Sequence, residues 1–283
     1  MSFYSGNNEA LLHDSLTEHN QEKEYSKYLG KTSSANQIAL AFASVSGAFI
    51  AYWSFAWVMW LSVIPAVLGL FVSFKLSEPK IHDPESGNIY SHLKTALLEF
   101  KKNKKLRMIS LSSIIGFAQG EASYQFRSAF IATLWPIWAI GIARLLSNAG
   151  AAASFYYSGK LIERFGEYKI MIIGKLYALV SDVLSVAFPN IASPAILSSN
   201  SLFHGVQVVA SSTLKQREFT YHQRSTMGSL ISFFRNLAFA VVAYFLGIMA
   251  DNFGTAKAYL YIKVLAVISL WIYWKLFRKA KKN

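Results

Sequence analysis

From Thr32 to Phe74 the chain runs 43 residues without an Asp, Glu, Lys or Arg. A helix needs only about 20 residues, at 1.5 Å rise each, to cross about 30 Å of hydrocarbon. The run therefore predicts two membrane-crossing helices joined by a tight turn, near 35–52 and 55–74. Further apolar runs, some interrupted by one or two charges, occupy 108–130, 137–158, 170–188, 194–214, 225–250 and 258–274, which makes eight expected spans. Composition agrees, since 53% hydrophobic and only 15% charged residues lie outside the range of soluble domains. The expected fold class is all-α, a polytopic membrane protein.

The net charge of +13 raises nucleic acid as a partner, and its distribution removes it. When loops alternate from a cytoplasmic N-terminus, 22 of the 28 Lys and Arg fall in segments 1–34, 75–107, 159–169, 215–224 and 275–283. The external connections hold only Lys257, and Arg127, Arg144, Lys175, Arg235 and Lys263 lie within spans. This is a positive-inside pattern, so the basic charge reports topology: a multi-pass protein of the cell membrane with both termini cytoplasmic. The chain has no cysteine, which excludes disulfides, and its N-terminus lacks the basic region and apolar core of a signal peptide.

Segment 75–107 is a long polar linker that divides two helices from six. It carries Pro79 and Pro84 early and then an expected amphipathic surface helix from about Ile89 to Phe100. The chain accordingly reads as a cytoplasmic segment (1–34), a transmembrane hairpin (35–74), the linker (75–107), a six-helix half (108–274) and a basic tail (275–283). Between the second and third helices of the six lies SGKLIERFG. Its Gly159 and Gly166 suit a tight turn with close helix approach, Glu163 suits a neighbouring helix N-terminus, and Arg164 suits an acidic partner. A second clause, GIMADNFG at 247–254, repeats the pattern of Gly, acid and Phe-Gly at the end of the fifth helix of the six, which suggests related construction units.

With these features the sequence resembles the major facilitator superfamily of secondary transporters. Gly159, Leu161, Glu163, Arg164 and Gly166 match its G-x-L-x-[DE]-R-x-G loop, and HQRSTMGSLISFFRN looks like bacterial efflux-type members. The resemblance implies two six-helix halves, a conformational role for the loop, and ion-coupled efflux of a small solute across the lipid bilayer, with no cofactor and no enzymatic activity. Only two helices precede the linker, so about four are expected to be absent, with the first half's copy of the loop. The alternative is a non-transporting membrane subunit or remnant that packs against another membrane protein, one that supplies the missing helices.

Charged residues at mid-bilayer cost about 2.5 to 3.5 kcal/mol, so each needs a reason. Glu121, with Tyr124 and Ser128 on its face, reads either as a proton carrier or as the partner of Arg127 or Arg144. Arg144, Ser147 and Asn148 form a polar patch that suits an anionic substrate group or Glu121. Asp182 is a candidate proton or cation site, and Lys175 is expected to snorkel to the cytoplasmic surface. Asn200, His204, Gln207 and Ser211 form a continuous polar stripe, which reads as a cavity wall or as interhelical hydrogen bonding. Glu121 and Asp182 are expected to face one aqueous space with Asn200, His204 and Gln207. Arg235 with Asn236 reads as interfacial, Lys263 has no evident role, and Gly116 with Gly120 reads as close packing. The group Tyr52, Trp53, Phe55, Trp57 and Trp60 reads as an outer aromatic belt. His13, Asp14, Glu18 and His19 lack metal-ligand spacing and read as solvated surface. No phosphate-binding loop or nucleophile elbow occurs. The polar residues are dispersed over five helices without a paired-acid or metal motif, which disfavours an intramembrane enzyme.

Overall fold

A computed structural model of the chain describes residues 2–76, 89–136, 139–219 and 224–281. Pro79, Pro84, His222 and Gln223, and the Tyr52 side chain, lie outside what is described. No strand occurs among the described residues, and a helix stands at each of the eight expected positions.

The hairpin consists of α2 (Tyr25–Trp53) and α3 (Phe55–Ser73), which turn at Ser54. Pro65 sits inside α3, as membrane helices tolerate. The surface helix of the linker is α4 (Ile89–Lys102). The six-helix half begins with α5 (Lys104–Ile131), whose first turn is capped by the Asn103 side chain accepting from the Leu106 N–H at 2.9 Å. It continues with α6 (Ile140–Tyr156), the short α7 (Ser158–Phe165) and α8 (Glu167–Ala187). The expected sixth span is split at Asn200 into α9 (Ser193–Ser199) and α10 (Ser201–Gln216). After α11 (Arg224–Phe253), the last span is split at Ile262 into α12 (Thr255–Tyr261) and α13 (Lys263–Ala280).

Among the described residues, four segments are long and apolar enough to cross a membrane on length and composition alone: Phe55–Ser73, Glu167–Ala187, Arg224–Phe253 and Thr255–Ala280. In α5, α6 and α10 the serines, glycines and amides that dilute the apolar signal are the residues that pack helix on helix. Ser112 on α5 and Ser269 on α13 each donate to the other's carbonyl at 3.0 Å. Gly205 on α10 lies against α6 so closely that a Cβ there would stand 2.4 Å from the Phe155 nitrogen. The core around these contacts is built from Ile109, Phe155, Met171, Val206, Val209 and Tyr273.

Near the N-terminus, α1 (Ser2–Glu18) packs along α11, and α2 begins at Tyr25, ahead of the expected start of the first span. Beyond Ser34, no described residue of α2 is buried, and none of α3 is. Among the described residues, the buried contacts of the hairpin with the six-helix half therefore lie at the start of α2.

Candidate functional site

The contact of α1 and α2 with the six-helix half is a polar seam. On α1, His13 and Asp14 are buried, which corrects their reading as solvated surface. Arg224 at the start of α11 is also buried and bonds both, donating to the Asp14 carboxylate at 2.5 Å and to His13 Nδ1 at 2.8 Å. Accepting that bond places the His13 proton on Nε2. The Tyr25 hydroxyl meets Ser212 Oγ at 3.0 Å, Ser26 meets Thr213 at 2.8 Å, and Ser34 donates to the Ala152 carbonyl at 2.9 Å. Ser212 also donates to Glu9. Small residues let the backbones meet here: a Cβ at Gly30 would fall 2.2 Å from Ser158 Oγ, and one at Gly159 would fall 3.0 Å from the Lys27 Cα.

A second polar cluster lies inside the six-helix half. Asp182 on α8 is 6% exposed and pairs with Lys263 at 2.6 Å, which gives Lys263 the role its sequence position did not reveal. Asn200 donates to the same carboxylate at 2.6 Å and accepts from Ser181, while the Tyr259 hydroxyl stands at 3.4 Å. Lys263 donates to Ser123 Oγ at 3.0 Å, to which Gln119 donates at 2.9 Å. The Arg127 guanidinium lies within electrostatic reach of Asp182. Five helical segments thus converge on one carboxylate, a bracing arrangement in which every Asp182 bond crosses to another helix.

The expected shared space of two acids does not assemble. Asp182 and Asn200 meet, but Glu121 is half-buried on α5 and accepts from Gln125 at 2.9 Å, with neither Arg127 nor Arg144 as an ion-pair partner. The polar stripe of α9 and α10 fans out instead of lining one wall. Gln207 packs on Gly174 of α8, His204 meets the edge of Phe155 on α6 at 5.9 Å, and Ser211 faces Tyr273 at 3.4 Å. Interhelical hydrogen bonds engage Asn200 and Ser211, Gln207 packs between α10 and α8, and His204 is exposed. Lys175 does not snorkel: its ammonium lies 5.5 Å from the Tyr273 ring centre and crowds Gly116. Arg235 stacks on Phe117 at 4.1 Å. Arg144 is exposed, reaches Ser128 Oγ at 3.2 Å and shares a cleft with Tyr124, Arg127 and Ser147, beside the half-buried Asn148.

The loop clause folds as a short helix, not a simple turn. Gly159 supplies the close approach to α2, and Gly166 ends α7 at φ 76°, ψ 153°. Leu161 packs against the core, whereas Glu163 and Arg164 are exposed, with the Arg164 guanidinium over Phe165 at 5.3 Å. The ion pair at this end comes from neighbours that the motif does not include, Glu167 and Arg217 at 2.8 Å. Gly254, closing the second clause, adopts φ 84°, ψ 154°, nearly the conformation of Gly166.

No protein-family model matches the sequence, and no curated protein matches it. Solved structures do. The transporter FucP, crystallised in the outward conformation, superposes with a TM-score of 0.73 at 14% identity, over 94% of this chain and 71% of that one. A single-substitution variant of the Escherichia coli fucose:proton symporter FucP superposes at 0.62 and 14% identity, over 76% of this chain and 53% of that one. With its six-helix half, its polar linker and a preceding hairpin, the chain has the fold of the major facilitator superfamily.

Proposed function

We propose that this chain is a secondary carrier that moves a small amphipathic solute across the cell membrane, with ion-coupled export as its direction. The observation that supports the reading is the polar seam by which α1 and α2 close onto the six-helix half, with Asp14 paired to Arg224, in a fold like that of a solved transporter. Alternating access requires two bodies that meet at one face of the membrane and separate at the other. The test is flux in proteoliposomes holding the purified chain, with an imposed pH gradient and a panel of cationic, neutral and anionic dyes. Gradient-dependent efflux of any dye above empty vesicles supports the reading, and no flux across the panel overturns it.

A second reading, a subunit that works only beside another membrane protein supplying further helices, is favoured by α3, which has no buried residue. Flux that appears only on co-reconstitution with a copurifying membrane protein distinguishes it.

A further inference from the structure

The cleft between α5 and α6 brings two cations onto one aromatic ring. The guanidinium carbons of Arg127 and Arg144 stand 5.8 Å and 6.0 Å from the Tyr124 ring centre. Ser128 and Ser147 add hydroxyls, and Ile131, Ile140 and Ala143 close the apolar sides. Neither arginine forms an ion pair among the described residues, and Arg127 Nε is buried without a hydrogen-bond partner. The Asp182 carboxylate, which attracts Arg127, also holds Lys263. Arg127 lies four residues before the end of α5 and Arg144 four after the start of α6, so each is about 6 Å from its helix end at 1.5 Å per residue. Arg127 shares the Asp182 carboxylate with Lys263 and meets the Tyr259 hydroxyl, and Arg144 has no ion pair, so an anion between the two guanidiniums would lower the cost of holding them together. Planar guanidinium forks match the oxygens of carboxylate or phosphate better than a lone ammonium does. The free space in the cleft is about 10 Å³, room for one oxygen of such a group and not for a whole solute.

We propose that this cleft binds the oxyanion head of a negatively charged solute, between Arg127 and Arg144, while the rest of the solute stays outside it. The proposal rests on the carrier reading and names its substrate class. It sets this chain apart from a carrier of an uncharged sugar.

Binding to the purified full chain in detergent tests it, with glucuronate, glucose, inorganic phosphate and phosphatidylglycerol micelles as probes. Glucuronate should bind at least tenfold more tightly than glucose, Arg144→Gln should remove that preference, and Arg144→Lys should restore part of it. Arg144 is exposed, so its replacement leaves the fold intact; Arg278→Gln, in the tail, is the control and should change nothing. Equal binding of glucose and glucuronate, a preference unaltered by Arg144→Gln, or binding of phosphatidylglycerol alone would overturn the proposal. The two readings fail separately. Flux confined to neutral or cationic dyes sinks the oxyanion site and keeps the carrier, whereas Arg144-dependent glucuronate binding without any flux does the reverse.

Discussion

Asp182 and Lys263 are each a single charge in an otherwise apolar run, and each is intelligible only through the other. Removing one member of a buried pair strands its partner and costs about 3–5 kcal/mol, while removing both is often neutral. Lys263→Met should therefore lower the folded yield sharply, and Asp182→Asn with Lys263→Met should recover most of it. Size-exclusion profiles of the detergent-purified variants read this directly, and a double variant no better than the single one would show that the carboxylate is needed for something other than bracing. The two positive-φ glycines make a different residue-scale case. Nothing lies within 4 Å of a Cβ built at Gly166 or Gly254, so an alanine meets no neighbour there. Its cost is backbone strain alone, about 1–3 kcal/mol in a region that only glycine occupies readily. Gly166→Ala and Gly254→Ala should lower thermal stability by comparable amounts, whereas Gly69→Ala, in open space within α3 and without positive φ, should not.

Element by element, what was legible in the sequence followed burial in lipid, and what was illegible followed burial in protein. A helix that crosses hydrocarbon needs an apolar run whatever surrounds it, so α3, α8 and α11 announce themselves. What α1 hides is its inward face, where His13 and Asp14 lie beside Ala10 and Leu16: the two polar residues are interior only once Arg224 stands opposite. The breaks at Asn200 and Ile262 were equally hidden, since neither position carries proline or glycine. At the candidate site the types were readable and the pairings were not. Asp182 and Asn200 each stood out as polar groups needing a reason, but that Lys263 answers the first depends on α13 lying beside α8. The seam offers an element-scale test. Ser26 and Thr213 have hydroxyl oxygens 2.8 Å apart in a chain without cysteine, so Ser26→Cys with Thr213→Cys should cross-link α2 to α10 on mild oxidation. Asp14→Asn added to that pair weakens the closed seam and should slow the cross-linking severalfold; an unchanged rate would show that Asp14 does not hold the seam.

For the molecule as a whole, the orientation proposed from charge can be checked at exposed positions. Single cysteines at Ile191 and Lys257 should react with an impermeant maleimide from outside intact cells, and those at Lys101 and Lys279 only after permeabilisation. The reverse pattern would invert the topology. The Ser26–Thr213 cross-link carries the second whole-molecule prediction: if the seam must part during each cycle, the oxidised pair should block flux and reductant should restore it. The seam also has a history in time. Arg224 follows Asp14 by 210 residues, and chain synthesis proceeds at about 5–20 residues per second, so the acid waits about 10–40 s on the ribosome for its counter-charge. During that interval α1 has no place in the interior and must rest at the wet membrane surface, while α5 to α10 emerge and assemble. The seam is thus made only after α5 to α10 have emerged, and a chain arrested before Arg224 would expose an acidic handle that Arg224 otherwise covers.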